Sequence, residues 1–149
     1  MLVKEPKKER KTAMKKTIHF SSVPENLNLV EKMIDEICTQ YPINEDYYGN
    51  ILISITEAVN NAIQHGNKYD PGKQVQVEFD SDRDCEFLCF TVMDEGDGFD
   101  YETLPDPTNP QNIEKLNGRG IFLMKNLADE VGFSKQGRMV ELNFKISKN

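Results

Sequence analysis

A long stretch with almost no charge constrains this chain more than any other feature. Residues 47–67 carry one formal charge, that of Glu57. In a helix at about 100° per residue, five polar side chains of this stretch fall within about 80° of one another. That polar stripe consists of Asn50, Ser54, Glu57, Asn61 and His65, and the apolar flank beside it of Ile51, Ile55, Val59 and Ala62. Because a surface helix normally carries Lys and Glu, we expect this helix to be largely buried.

Glu57 stands in this stripe beside amide side chains. A carboxylate in a buried position is unfavourable unless it is fully hydrogen-bonded or has a function. Two interpretations are therefore open, a structural carboxylate capped by its neighbours and a functional group.

Length and charge limit the classes of ligand. The 149 residues suit one domain, which we place at 16–149 behind a basic, disordered leader at 1–15. The net charge is −7, but residues 1–16 carry seven Lys or Arg against two Glu, so the rest of the chain carries −12. An acidic body argues against direct nucleic-acid binding, although it allows a nucleotide that arrives with a divalent metal. Met14 is a plausible alternative translation start.

No apolar stretch is long enough to span a membrane, and no signal peptide follows the basic start. The three cysteines, at 38, 85 and 89, form no C-x-x-C pair. A reduced cytoplasm is therefore the expected compartment, and a thiol-bound metal is disfavoured.

Periodicity and turn signals predict the order β-α-α-β-β-lid-α-β-β. The predicted strands are 16–20, 73–81, 85–93, 131–134 and 139–146, and the predicted helices run from about 25 to 41, from 45 to about 65, and from 121 to 128. This order predicts an α+β fold, a two-layer α/β sandwich with a mixed, mainly antiparallel sheet and helices on one face. Residues 100–117, with three prolines, have the length and irregularity of a functional loop or lid.

Two motifs carry side chains suited to a nucleotide. Glu57 and Asn61 stand four residues apart and so share one helical face. Asp94-x-Gly96-x-Gly98 closes a buried strand, where a carboxylate can accept a hydrogen bond from a base amine and glycines let a ring approach the backbone.

A third motif, Gly118-x-Gly120, precedes the last predicted helix, whose free N–H groups can hold phosphate. Other nucleotide and metal motifs are excluded. The chain has no P-loop, the third Rossmann glycine is missing, and Gly96 occupies a ligand position of the calcium-binding EF-hand pattern.

In this order and spacing, the three motifs resemble those of the Bergerat-fold (histidine kinase-like) ATPases, the superfamily of gyrase and histidine kinases. Residues 57–66 resemble the N box, 94–99 the first glycine box and 118–124 the second. The Glu-x-x-x-Asn form, the short proline-rich lid and the Gly-Arg-Gly-Ile-Phe-Leu run most resemble the anti-sigma factor serine/threonine kinases. The resemblance extends from about residue 16 to the end of the chain.

The resemblance implies roles for individual residues. Asn61 would ligate Mg²⁺ through its amide oxygen, with phosphate oxygens and waters as the other ligands. Glu57 would be the general base for the hydroxyl that attacks the γ-phosphate of ATP. Asp94 would receive the adenine amine, and Gly96 and Gly98 would shape its pocket.

In the second glycine box, Gly118 and Gly120 would bring lid backbone to the phosphates. Arg119 would either donate to the phosphates or face solvent. His65 is in line with the site, although a histidine bonded to backbone is the commoner case. Gln64 stands where histidine kinases often carry Lys, which speaks against that branch.

The leading hypothesis is a cytoplasmic, ATP- and Mg²⁺-dependent serine/threonine kinase that is also an anti-sigma factor. It would phosphorylate an anti-sigma-factor antagonist and sequester a sigma factor, and both partners come from the resemblance. A homodimer is left open. The alternatives are a non-catalytic nucleotide-dependent switch, against which the retention of Glu57 speaks, and a detached histidine-kinase catalytic domain, which lacks a helix with a phosphoacceptor histidine.

Overall fold

The computed structural model describes residues 12–41, 43–82, 86–97 and 116–146. The α-helices in these ranges are α1 (Leu27–Gln40), α2 (Glu45–Asn61) and α3 (Leu116–Leu127). The strands are β1 (Thr12–Ser21), β2 (Gln74–Asp82), β3 (Phe87–Met93), β4 (Glu130–Ser134) and β5 (Met139–Lys145). In the part of the chain that is described, no helix is long and apolar enough to cross a membrane.

The five strands form one sheet in the order β1-β2-β3-β5-β4. Each neighbouring pair is antiparallel, so the α+β prediction is confirmed, and the described strands contain no parallel pair of a mixed sheet. β1 pairs with β2 from Thr12 opposite Asp82 onward. It therefore begins four residues before the predicted start, within the predicted leader.

One face of the sheet is buried beneath the helices. Alternate residues of β3 and β5 are buried, as the period of two along a strand requires. Phe79, Phe90 and Phe144 stand on three adjacent strands, with ring centroids 4.9 Å apart in the first pair and 6.0 Å in the second. This row of rings forms the centre of the core, to which α1 adds the side chains of Val30, Met33, Ile34 and Ile37.

Helix α2 begins where the sequence predicts. The Asn44 side-chain oxygen accepts hydrogen bonds from the N–H groups of Asp46, at 2.9 Å, and Tyr47, at 3.1 Å, which is the geometry of an N-cap. The prediction that the helix is largely buried holds for one side only. Ile51 and Ile55 are fully buried, whereas Ile53 is 45% exposed.

The end of this helix differs from the predicted α-helix. Residues 62–66 form one turn of π-helix. The N–H of Asn67 donates to the carbonyl of Ala62, five residues back, at 2.8 Å. Lys68 and Tyr69 then adopt left-handed conformations that end the helix. Such wide turns are common at functional sites because they redirect side chains and backbone locally.

The last helix is longer than predicted. It begins at Leu116 rather than at Ile121, so Gly118 and Gly120 lie inside it rather than before it. Gly118 falls in the first turn, where N–H groups have no helical acceptor, and Gly120 lies beyond that turn. Gly98 and the proline-rich loop up to residue 115 lie outside the described residues.

Candidate nucleotide site

The polar stripe of α2 meets α3 at Gly120. A Cβ atom at Gly120 would lie 2.8 Å from Glu57 Oε1 and 3.5 Å from Asn61 Nδ2. The backbone of α3 therefore passes directly over both side chains, and a larger residue at this position would force the Glu57 carboxylate to move. The structure thus brings residues of the first and third motifs together. The side chains of residues 116–119, which include Arg119, lie outside the described part of the structure.

Glu57 and Asn61 are half-buried, and neither side chain has a hydrogen-bond partner among the described residues. The interpretation of Glu57 as a capped structural carboxylate therefore has no support in the described part of the structure. Ser54, one turn earlier on the same stripe, is fully buried, and its hydroxyl also lacks a described partner. Ser54 is too deeply buried to reach a ligand, whereas the side chains of Glu57 and Asn61 are partly exposed and therefore available to one.

Asp94 follows β3 and lies against the end of the π-helical turn. Its Oδ1 accepts a hydrogen bond from the N–H of Gly96 at 2.8 Å. A Cβ at Gly66 would overlap the Asp94 carboxylate, and one at Gly96 would overlap the Gly66 carbonyl. The backbones of Gly66 and Gly96 are therefore in direct contact with each other, and Gly66 packs against the Asp94 carboxylate.

The surroundings of Asp94 act on its charge in opposite directions. Burial raises the pKa of this carboxyl from its ordinary value, while the Gly96 N–H and the cations of Arg138 and Lys73 lower it. A partly desolvated carboxylate is a strong acceptor for an amine of a ligand.

A cleft that is partly open to solvent lies between the end of α2, α3, the end of β3 and the start of β5. Its polar lining residues are Asn61, His65, Asp94 and Arg138. Its apolar lining residues are Ala58, Ala62, Val92, Ile121, Met124, Phe133 and Val140. An apolar slot with a few polar groups at fixed places suits a planar base. The predicted residues Asn61 and Asp94 thus lie in one cleft.

His65 lines the same cleft. Burial lowers its pKa, so the ring is neutral near pH 7, and its Nε2 atom is buried without a partner among the described residues. The backbone-bonded histidine that the sequence favoured is therefore not found at this nitrogen.

Sequence analysis missed Asn67, which is 1% exposed. Its Nδ2 donates to Ser22 Oγ at 2.7 Å and to the Gln74 carbonyl at 3.0 Å, and its Oδ1 accepts from the Glu95 N–H at 2.8 Å. It ties the end of α2 to β2 and to the loop that carries Asp94. An asparagine after a helix-ending glycine is typical of a turn, so nothing local distinguishes this buried one.

Arg138 was also missed. It is half-buried, and it lines the cleft at the start of β5. In sequence it follows the hairpin turn at Gln136–Gly137, where a solvent-exposed arginine is common. Only the strand register places it beside Asp94.

The described residues of this cleft are compatible with a hard cation, such as Mg²⁺, whose ligands come mainly from a bound nucleotide. Among the described residues there is no cluster of three or more carboxylate, histidine or cysteine side chains that could form an all-protein metal cage. Mg²⁺ with nucleotides needs only one or two protein oxygens. The unpartnered amide of Asn61, beside the gap kept open by Gly120, can supply one.

Comparison with known proteins agrees with this geometry. The family model described as histidine kinase-like ATPase domain matches residues 20–144, so the chain belongs to this family of ATPases. It is 29% identical over 114 residues to the serine-protein kinase RsbW of Bacillus subtilis (strain 168), covering 72% of this chain and 70% of that protein. The corresponding protein of Bacillus licheniformis is 31% identical over the same shares.

The predicted membership of the anti-sigma factor serine/threonine kinase branch is thereby confirmed, and with it an ATP-dependent kinase at the level of the family. A crystal structure of the RsbU and RsbW domains of a Mycobacterium tuberculosis protein has the same fold, with a TM-score of 0.66 at 16% identity. That match covers 92% of this chain, which spans about a third of the longer protein (34%).

Proposed function

We propose that this chain transfers the γ-phosphoryl group of ATP to a serine or threonine hydroxyl of an anti-sigma-factor antagonist, and that it sequesters a sigma factor while the antagonist is phosphorylated. The partners and the cytoplasmic location follow from the family resemblance. The observation that carries the catalytic part is the meeting of Glu57 and Gly120 beside Asn61, which lines the same cleft as Asp94.

Each of these side chains has a role in the proposed reaction. Asp94 accepts a hydrogen bond from the adenine amine, which orients the base in the apolar cleft. Asn61 offers its amide oxygen to Mg²⁺, which would neutralise phosphate charge when bound. Glu57 takes the proton from the substrate hydroxyl as its oxygen bonds to the γ-phosphorus, and ADP leaves with the electrons of the broken P–O bond.

The position of Glu57 supports a kinase over a switch. A protein that only binds nucleotide needs the metal-binding amide and the base pocket, but no partly exposed carboxylate beside them. The carboxylate of Glu57 is one helical turn from Asn61, and it has no hydrogen-bond partner among the residues that the structure describes.

Phosphate transfer from γ-labelled ATP decides between these functions. The protein is mixed in turn with the proteins encoded by neighbouring genes as candidate antagonists, and phosphoprotein and ADP are both measured. A kinase produces the two in equal amounts. Binding of ATP with neither product would favour the switch, and label that stays on the protein's own histidine would favour a histidine kinase.

A further inference from the structure

Arg138 and Asp94 lie beside each other, at the start of β5 and the end of β3. The register of these strands pairs Val92 with Val140, and two residues further on the N–H of Asp94 donates to the Arg138 carbonyl at 3.0 Å. Asp94 and Arg138 line the same cleft as the two valines. The two opposite charges therefore share one cleft at adjacent points of the backbone.

The Arg138 side chain is anchored on the backbone of the preceding turn. Its Nε donates to the Lys135 carbonyl at 3.1 Å. Lys135, Gln136 and Gly137 have φ values of 52°, 62° and 90°, a left-handed run that brings this carbonyl back toward the arginine. The guanidinium is thus held at the cleft.

His65, Lys73 and Glu95 also lie near Asp94, but none of these three is both positively charged and part of the cleft lining. His65 lines the cleft but is neutral near pH 7, because burial lowers its pKa. Lys73 acts on Asp94 more weakly than Arg138 and does not line the cleft. Glu95, on the same loop as Asp94, is exposed, and its carboxylate accepts a hydrogen bond from the backbone of β2.

We propose that Arg138 is a positioning residue for the nucleotide: its guanidinium holds Asp94 in the ionised form that accepts the adenine amine, and it thereby sets the lower limit of the pH range in which nucleotide binds. The identity of the ligand rests on the proposed function, whereas the coupling between the two side chains does not.

The physical basis is the competition between burial and charge at Asp94. Burial raises the pKa of this carboxyl, the hydrogen bond from the Gly96 N–H lowers it, and the positive charge of Arg138 lowers it further. Without Arg138, the carboxyl binds its proton at a higher pH. A protonated carboxyl turns an O–H donor toward the amine, which is itself a donor, so the hydrogen bond to the base is lost.

Carbon-13 NMR of the Asp94 carboxyl in the full chain without nucleotide tests the coupling. In Arg138→Met the titration midpoint moves to higher pH, whereas Arg138→Lys keeps it near the wild-type value. Lys73→Met, the matched control for loss of a nearby cation, produces a smaller shift. Equal midpoints in the wild type and Arg138→Met would overturn the proposal.

Calorimetry with ADP from about pH 5 to about pH 8 tests the consequence for binding. At the upper end the ratio of the wild-type and Arg138→Met affinities is independent of pH, and the affinity of the variant begins to fall at a higher pH than that of the wild type, by about tenfold per pH unit below the midpoint. A shifted NMR midpoint with parallel ADP curves would overturn the role in binding. Failure of the wild type to bind ADP at any pH would instead refute the proposed function, and the NMR midpoints would still decide the coupling.

Discussion

Glu57 and Asn61 occupy similar positions but offer different chemistry. Both stand on one face of α2, both are half-buried, and both lie under Gly120. The amide is neutral at every ordinary pH and can only present an oxygen or an N–H, whereas the carboxylate can also accept a proton. Substitutions at the two positions should therefore separate binding from transfer.

Asn61→Ala should abolish Mg²⁺-dependent ATP binding and leave the fold intact, because it removes the oxygen available to the ion from a half-buried position. Calorimetry with and without Mg²⁺ measures this, and far-ultraviolet circular dichroism checks the fold. Asn60→Ala, on the neighbouring residue that does not line the cleft, is the matched control. Equal Mg²⁺-dependent affinity in the wild type and Asn61→Ala would refute the metal role.

Glu57→Gln should retain ATP binding but lose about 10²- to 10⁴-fold in the rate of phosphate transfer, because the amide keeps the shape and cannot take a proton. Single-turnover transfer to the antagonist measures the rate. Glu45→Gln, at the exposed start of α2, provides a control for the same change of charge. Transfer at the wild-type rate would return Glu57 to a structural role.

Gly120→Ala should slow transfer without weakening the fold. The new methyl group would lie 2.8 Å from Glu57 Oε1, and the flexible carboxylate has to move away from it. Alanine within a helix is intrinsically more favourable than glycine by about 0.5–1 kcal/mol. Urea unfolding should show equal or higher stability while the transfer rate falls, and a variant with unchanged rate would show that the carboxylate does not act from its observed position.

Among the connecting segments, the loop after β3 depends on Asn67 for its position. This one side chain, at the end of the helical layer, donates to the Ser22 hydroxyl and to the Gln74 carbonyl at the start of β2, and it accepts from the loop N–H of Glu95. Its replacement by alanine leaves partly buried donors and acceptors unpaired. We therefore expect Asn67 to affect both the free energy of unfolding and the affinity for nucleotide.

Asn67→Ala should lower the free energy of unfolding by about 1–3 kcal/mol and weaken ADP binding, because Asp94 lies on the same loop. Urea denaturation and calorimetry measure the two effects. Asn126→Ala is the matched control, since the exposed Asn126 amide bonds to the Phe122 carbonyl of its own helix and to no other residue that the structure describes. Similar losses in the two variants would contradict a special role for Asn67.

The element boundaries show what local sequence can and cannot predict. The start of α2 at Glu45 and the end of β3 at Met93 depend on neighbouring residues and were predicted correctly. The π-helical turn and the start of α3 were not. Gly118 and Gly120 have low helix propensity, and tertiary packing of α3 against α2 overrides it. Arg138 acquires its position from a strand pairing between distant segments, which periodicity alone does not reveal.

For the whole molecule, nucleotide binding should stabilise the fold, because the cleft is built from α2, α3, β3 and β5 together. A ligand at 100 times its Kd contributes about 2.7 kcal/mol, which for a chain of this size is a rise in Tm of roughly 5–10 °C. Thermal unfolding with ATP and Mg²⁺ measures this rise. Asn61→Ala should show little of it, and an unchanged Tm in the wild type would contradict a nucleotide site in this cleft.

The contact between Gly66 and Gly96 has a practical consequence for chemical genetics. A kinase is made to accept a bulkier nucleotide analogue by trimming a side chain in its pocket, and these two glycines have none to trim. An analogue enlarged on the side that faces Gly66 and Gly96 would meet backbone atoms, and no substitution could make room for it. Val92 and Val140 line the cleft wall and are 2% and 7% exposed. An orthogonal analogue for this kinase should therefore be enlarged toward that wall and paired with Val140→Ala.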